Sequence, residues 1–337
     1  MFEFLRRTWM FFLLNRADFF LPAAIIIMVF SFILLWLSSK QVIKLAVQIS
    51  QQAGVSTFLI GSIVSAIMTS IPEFMVALSA VVQGTPEMAL GNVFGSNIAN
   101  MTFLPAIPLL FIKKIDICAI MDKSLLLMLG AASLGMLLVL IPGAPHRLLA
   151  GLFIGVYVFI LHTIINKDVP AASCTEPARP QASESFSFII LSVRLMLAFI
   201  GTALAGNLIV FSGKMLSQLL NFQMYAVGAS VLSIGTNLPD IFLNIAAAKT
   251  NQSNLVLGSS IGSVLGQTFL TLSILMAFSN KFNASAVIYC APWIFLISSF
   301  LLYCIYKEKG ISRSAGMLLS VLFLGFFVQT LKLGLLN

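Results

Sequence analysis

The 337 residues are 59% hydrophobic and 9% charged, with a mean hydropathy of +1.04, which leaves too little polar surface to coat a soluble globule of this size. The formal charge of +8 is carried by lysines and arginines that stand singly or in twos and threes between apolar runs, so they read as loop anchors and form no basic stripe for nucleic acid. Four scattered cysteines, Cys118, Cys174, Cys290 and Cys304, lack the spacing of a zinc site or of a disulfide framework.

In chain order, residues 1–20 have an apolar core too short and too charge-flanked to span a bilayer and read as an interfacial segment, with Arg6, Arg7 and Arg16 at headgroup level. Apolar runs of roughly 20 residues, the length that crosses a bilayer core, then occur about ten times. They lie near 21–48, 55–82, 87–112, 121–141, 147–165, 186–211, 222–248, 254–278, 284–306 and 312–333. Residues 167–185, rich in Pro, Ala and Ser, form a linker that divides the chain into halves 21–166 and 186–337. Because each half has an odd number of spans, the second enters the membrane from the opposite side. The expected fold is an all-α integral membrane protein of about ten transmembrane helices in two inverted five-helix repeats. Lys40, Lys44, Lys113, Lys114, Lys123, Lys167, Arg179, Lys249, Lys307, Lys309 and Arg313 share the side of the linker, which puts the linker in the cytoplasm and both termini outside a plasma or inner membrane.

One stretch occurs twice. Residues 61–100, GSIVSAIMTSIPEFMVALSAVVQGTPEMALGNVFGSNIAN, superpose by a shift of 167 positions on 228–267, GASVLSIGTNLPDIFLNIAAAKTNQSNLVLGSSIGSVLGQ. The shift pairs Thr69 with Thr236, Pro72 with Pro239, Glu73 with Asp240, Gly91 with Gly258, Gly95 with Gly262 and Ser96 with Ser263. A carboxylate at membrane depth is costly and marks an ion path by default. The proline before it removes a backbone donor and clashes with the carbonyl four residues earlier, at Met68 or Gly235, so each span is expected to break beside its acid. Four-residue spacing gathers Thr69 with Glu73, Thr236 with Asp240, Ser96 with Asn100 and Ser263 with Gln267. All are oxygen donors, with no His or Cys nearby, a set that suits calcium, sodium or potassium rather than zinc, copper or iron. Glu87 reads as a helix-start acid, and His146 and His162 lie outside the repeats. The plainer alternative for Ser96, Ser263, Asn100 and Gln267 is helix packing and interhelical hydrogen bonding.

TSIPEF (69–74) with GNVFGSNIAN (91–100), and GTNLPDIF (235–242) with GSSIGS (258–263), resemble the signatures of the sodium/calcium exchanger superfamily of cation/calcium antiporters. The second repeat looks more like the potassium-dependent subgroup of that superfamily. The resemblance implies that Glu73 and Asp240 are paired calcium carboxylates. It also implies that Thr69, Ser70, Thr236, Ser96, Ser263 and Asn100 are sodium or calcium ligands, helped by backbone oxygens at Ala66 and Ser233. Asn237 and Gln267 complete the candidate set, but both depart from the pattern. Asn237 stands where the family has serine and Gln267 where many members carry an aspartate, while Met68 replaces a glycine and Val264 an asparagine.

Two carboxylates neutralise one divalent ion or two monovalent ones, and a third sodium would leave an unbalanced charge in low dielectric. The expectation is therefore fewer counter-ions per cycle than the three sodium ions typical of the family's sodium/calcium branch, and weak or absent potassium dependence. The function expected is secondary antiport of calcium, or a related divalent cation, against sodium by alternating access. One alternative is a proton-coupled divalent exchanger in which Glu73 releases a proton as metal arrives; another is a transport-dead scaffold. No enzyme is expected, since H-E-x-x-H does not occur. The partners are inorganic cations and the lipid bilayer, with no nucleic acid, no cofactor and no obligatory protein partner.

Overall fold

The computed structural model describes residues 17–52, 70–117, 122–141, 143–166, 188–249, 253–279 and 284–335. Residues 1–16, which hold most of the expected interfacial segment, and the linker lie outside the described residues. Helix α1 (Ala17–Gln52) leads to α2 (Ile71–Val82), α3 (Pro86–Met101), a short α4 (Phe103–Ala106) tightened into a 3-10 turn (Ile107–Leu110), α5 (Asp122–Val139) and α6 (His146–Asn166). The second half runs from α7 (Phe188–Leu219) through α8 (Met224–Thr236) and α9 (Leu238–Lys249). Helix α10 follows as Ser253–Gly266, a π turn at Gln267–Thr271 and Leu272–Phe278. Helix α11 joins a 3-10 turn (Ala284–Cys290) to Ala291–Tyr303 and a π turn (Cys304–Glu308), and α12 is Arg313–Leu335.

Seven helices are long and apolar enough to cross a membrane, and the bent pair α8–α9 makes an eighth span. Helices α2 and α5 are shorter apolar helices that fall within two further expected spans. Under the same shift of 167 positions, α2 superposes on α9 end to end and the start of α3 on the start of α10, so the sequence repeat is also a repeat of helix boundaries.

Burial divides the helices into an inner and an outer set. Within the spans containing α3 and α10, 83% and 78% of the most apolar stretch is buried, against 22% in α1, α6 and α7. All of α3 is buried except Glu87, which sits exposed in its first turn. The outer helices turn large apolar side chains outward, among them Ile26, Leu148, Ile189 and Met196, a surface suited to lipid.

The close fit of α3 on α8 depends on glycine. A Cβ at Gly91 would collide with the Tyr225 carbonyl, and one at Gly228 with the Met88 carbonyl and the Asn92 amide. The two backbones therefore touch where the repeats meet, as small-residue helix crossings in membranes do. Two three-residue strands, unanticipated in an all-α chain, tie the halves together at one end. β1 (Lys114–Asp116) pairs antiparallel with β2 (Gly310–Ser312), with Ile115 opposite Ile311. Beside them Arg313 Nε donates to the carbonyls of Leu109 and Ile112, at 3.0 and 3.1 Å, and so satisfies the C-terminal oxygens of the α4 turn.

Candidate functional site

The break that the sequence anticipates appears in the second half as a 40° bend between α8 and α9, with Asn237 at the corner. Pro239 is the second residue of α9, where the missing N–H would have had no helical partner, so it starts the new helix at no cost while preventing α8 from continuing. A Cβ at Gly235, one turn before the proline, would collide with the ring of Phe32 from α1. In the first half Pro72 occupies the same position in α2, preceded by Ser70. Phe74 N–H donates to Ser70 O, and Ile241 N–H to Asn237 O, both at 3.0 Å, so α2 and α9 begin alike.

Each acid lies in the first turn of its new helix and each is buried, Glu73 1% and Asp240 4% exposed. Asp240 is near enough to Glu73 for their charges to repel, which places one acid from each half in a common site. Ser263 Oγ donates to Asp240 Oδ2 at 3.0 Å. Among the described residues neither oxygen of Glu73 has a donor in hydrogen-bonding geometry. Among the described residues no lysine, arginine or histidine is buried, and the one ion pair, Lys114 with Asp116, lies at the surface. Two buried carboxylates thus share a site with no cationic side chain to balance them.

Hydroxyls and amides of α3 and α8 complete the surroundings. Thr236 Oγ1 lies 3.4 Å from Ser96 Oγ and donates to Asn92 Oδ1 at 3.4 Å. Asn100 Nδ2 donates to Ser96 O and to Asn237 Oδ1, both at 2.9 Å, and Asn237 Nδ2 to Ser233 O at 2.6 Å. Asn100 Oδ1 is left without a donor. The structure therefore brings Glu73, Asp240, Thr236, Asn237, Ser233, Ser96, Asn100 and Ser263 into one buried polar region. Ser70 is buried with its hydroxyl against α10, where a Cβ at Gly266 would meet it. Gln267 opens the π turn of α10, is fully buried and has neither carboxamide atom hydrogen-bonded. Thr69, Ala66 and Met68 lie outside the described residues.

Further buried polar groups join this region without having been singled out. Asn92 accepts from Thr236, Asn97 Nδ2 donates to Thr268 Oγ1 at 3.1 Å, and Asn244 bonds Ser260 and Ser259. Asn92 stands four residues before Ser96 and so falls on the same helical row as Ser96 and Asn100, a signal that could have found it; Asn97 lies off that row. The π turn that rotates Gln267 has no comparable sequence signal, and such turns recur at functional sites.

Among the described residues no three His, Cys, Asp or Glu side chains cluster as a transition-metal site. Two carboxylates among hydroxyl, amide and carbonyl oxygens make a hard-cation environment instead. Fold and site together define a multi-pass α-helical membrane protein built from two repeats, each contributing one acid to a common interior. The chain belongs to the sodium/calcium exchanger protein family, whose sequence model matches residues 23–166 and 190–332. That family is one of exchangers rather than catalysts. Among its relatives, an uncharacterized membrane protein of Methanocaldococcus jannaschii is 28% identical, over 90% of this chain and 96% of its own. The sodium/calcium exchanger MaX1 of Methanosarcina acetivorans is 24% identical, with 90% and 97% covered. In fold the chain resembles the sodium-calcium exchanger NCX_Mj, solved after soaking in sodium and strontium, with a TM-score of 0.61 at 23% identity over 90% of this chain and 97% of that one.

Proposed function

We propose that the protein is a secondary antiporter that exchanges calcium, or a closely related divalent cation, for sodium by alternating access at the site between the two repeats. The observation that carries this reading is the pair of buried acids, Glu73 and Asp240, without a buried basic residue among those described. Such a pair is costly until a cation neutralises it, since removing a charge's partner in a buried site costs several kcal/mol. Either one divalent ion or two sodium ions cancels the charge. An empty, doubly charged site is too costly to carry past an apolar barrier, and this makes exchange obligatory.

Glu73, Asp240, Ser96, Thr236, Asn100 and Ser263 are assigned as the ion ligands, with Thr69, Ser70 and the Ala66 backbone oxygen completing them from the first half. The reading places the protein in a plasma or inner membrane with the linker cytoplasmic, and it needs no cofactor and no protein partner. The test is uptake of radioactive calcium into proteoliposomes loaded with sodium, compared with liposomes carrying only a pH gradient. Uptake driven by sodium and abolished in Asp240→Asn is expected. Uptake driven by the pH gradient alone would replace sodium with protons as the coupling ion, and uptake by neither, with no calcium bound in calorimetry, would leave a scaffold.

A further inference from the structure

Asn237 sits at the corner of the α8–α9 break, and its carboxamide orientation is fixed by its neighbours. The Ser233 carbonyl can only accept, so the Asn237 atom 2.6 Å from it is the nitrogen; the Ser96 carbonyl fixes the Asn100 nitrogen in the same way. Asn100 Nδ2 is then correctly placed to donate to Asn237 Oδ1, and the two repeats are tied across the site. The Ser233 oxygen lies in the last turn of α8, at the break. Asn237 Nδ2 donates to it at 2.6 Å, and the Thr236 hydroxyl, whose single proton is shared with Asn92 Oδ1, stands 3.5 Å away. An NH2 group with its partial positive charge thus occupies the position from which a cation would reach that carbonyl. The corresponding residue of the first half, Ser70, carries a rotatable hydroxyl, whose oxygen can itself accept a cation, in place of an NH2 group, and that hydroxyl reaches α10 at Gly266.

Resting on the antiport reading above, we infer that Asn237 is a specificity-determining residue: its side-chain amide takes the place of one monovalent cation beside Ser233 and limits how many sodium ions the site exchanges for one divalent ion. A neutral Gln267 withholds the charge that an extra sodium would need, and Asn237 withholds the position. Supplying either alone does not add an ion.

The experiment compares wild type, Gln267→Asp, and the double variant Gln267→Asp with Asn237→Ser in proteoliposomes. Wild type and Gln267→Asp are expected to exchange two sodium ions per calcium without net current, and the double variant three, moving one charge per cycle and giving a measurable reversal potential. A current from Gln267→Asp alone, or none from the double variant, would overturn the inference. A parallel count of radioactive sodium retained per chain at saturation in detergent separates this from failure of antiport itself. A protein that transports nothing refutes the antiport reading, while the sodium count still decides the role of Asn237: one more ion in the double variant than in Gln267→Asp supports it, and equal counts refute it. Should the double variant not fold, Gln267→Asp with Asn237→Ala clears the same oxygen, keeps the added charge and carries the same count.

Discussion

A buried carboxylate beside a second acid is an unfavourable native-state feature that a bound cation relieves, and Glu73 is such a group, with no donor and no buried counter-charge among the described residues. Replacing it by glutamine removes the repulsion with Asp240 and keeps the shape. Glu73→Gln is therefore expected to melt higher than wild type in metal-free detergent while losing calcium transport by at least about 100-fold, about 2.8 kcal/mol at 1.4 kcal/mol per factor of ten. Calcium should raise the melting temperature of wild type, as any ligand selective for the folded state does, by about 2.7 kcal/mol of stability at a hundred times its dissociation constant. It should leave Glu73→Gln unmoved, and a chelator should reverse the wild-type gain. A wild type indifferent to calcium, together with a destabilised Glu73→Gln, would mean that the acid is held by the protein alone.

At the scale of the elements, the crossing of α3 on α8 holds the site together. A methyl group at Gly91 or Gly228 meets backbone that cannot rotate away. Either alanine should cost at least about 1–3 kcal/mol, the usual price of overpacking, and should separate Ser96 from Thr236. Gly130, inside α5 with open space around its Cβ position, provides the contrast. Gly130→Ala should be neutral or stabilising by about 0.5–1 kcal/mol through helix propensity. Thermal unfolding of the three variants in one detergent checks both statements. At the other end of the same half, Arg313→Met should lose two charge-assisted bonds to the Leu109 and Ile112 carbonyls, about 1.5–3 kcal/mol each at most, and loosen the β1–β2 tie.

For the whole molecule, the inner helices α3 and α10 carry the polar site, and the outer helices α1, α6 and α7 separate it from lipid. The orientation proposed from the lysine and arginine bias predicts which faces meet which compartment. In a cysteine-free background, a cysteine at Gly84, in the turn between α2 and α3, should react with a membrane-impermeant thiol reagent added to intact cells. One at Lys309, between α11 and β2, should react only after the membrane is opened. The reverse pattern would invert the topology and put the linker outside.

The all-α membrane class and the repeat relation of the two halves followed from the chain alone, because apolar run length, proline and a recurring acid are local signals that a bilayer turns into structure. The helix boundaries of α2 and α9 were readable from the prolines at 72 and 239 for the same reason. Tertiary structure decided what local spacing could not. It turned Asn237 toward Ser233 and Asn100, drew Asn97 into the polar interior, rotated Gln267 through a π turn and joined the halves by β1, β2 and Arg313. A hydrogen bond between residues 137 positions apart depends on how two helices cross. That crossing is set by backbone contact at a few glycines, which no window of sequence encodes by itself.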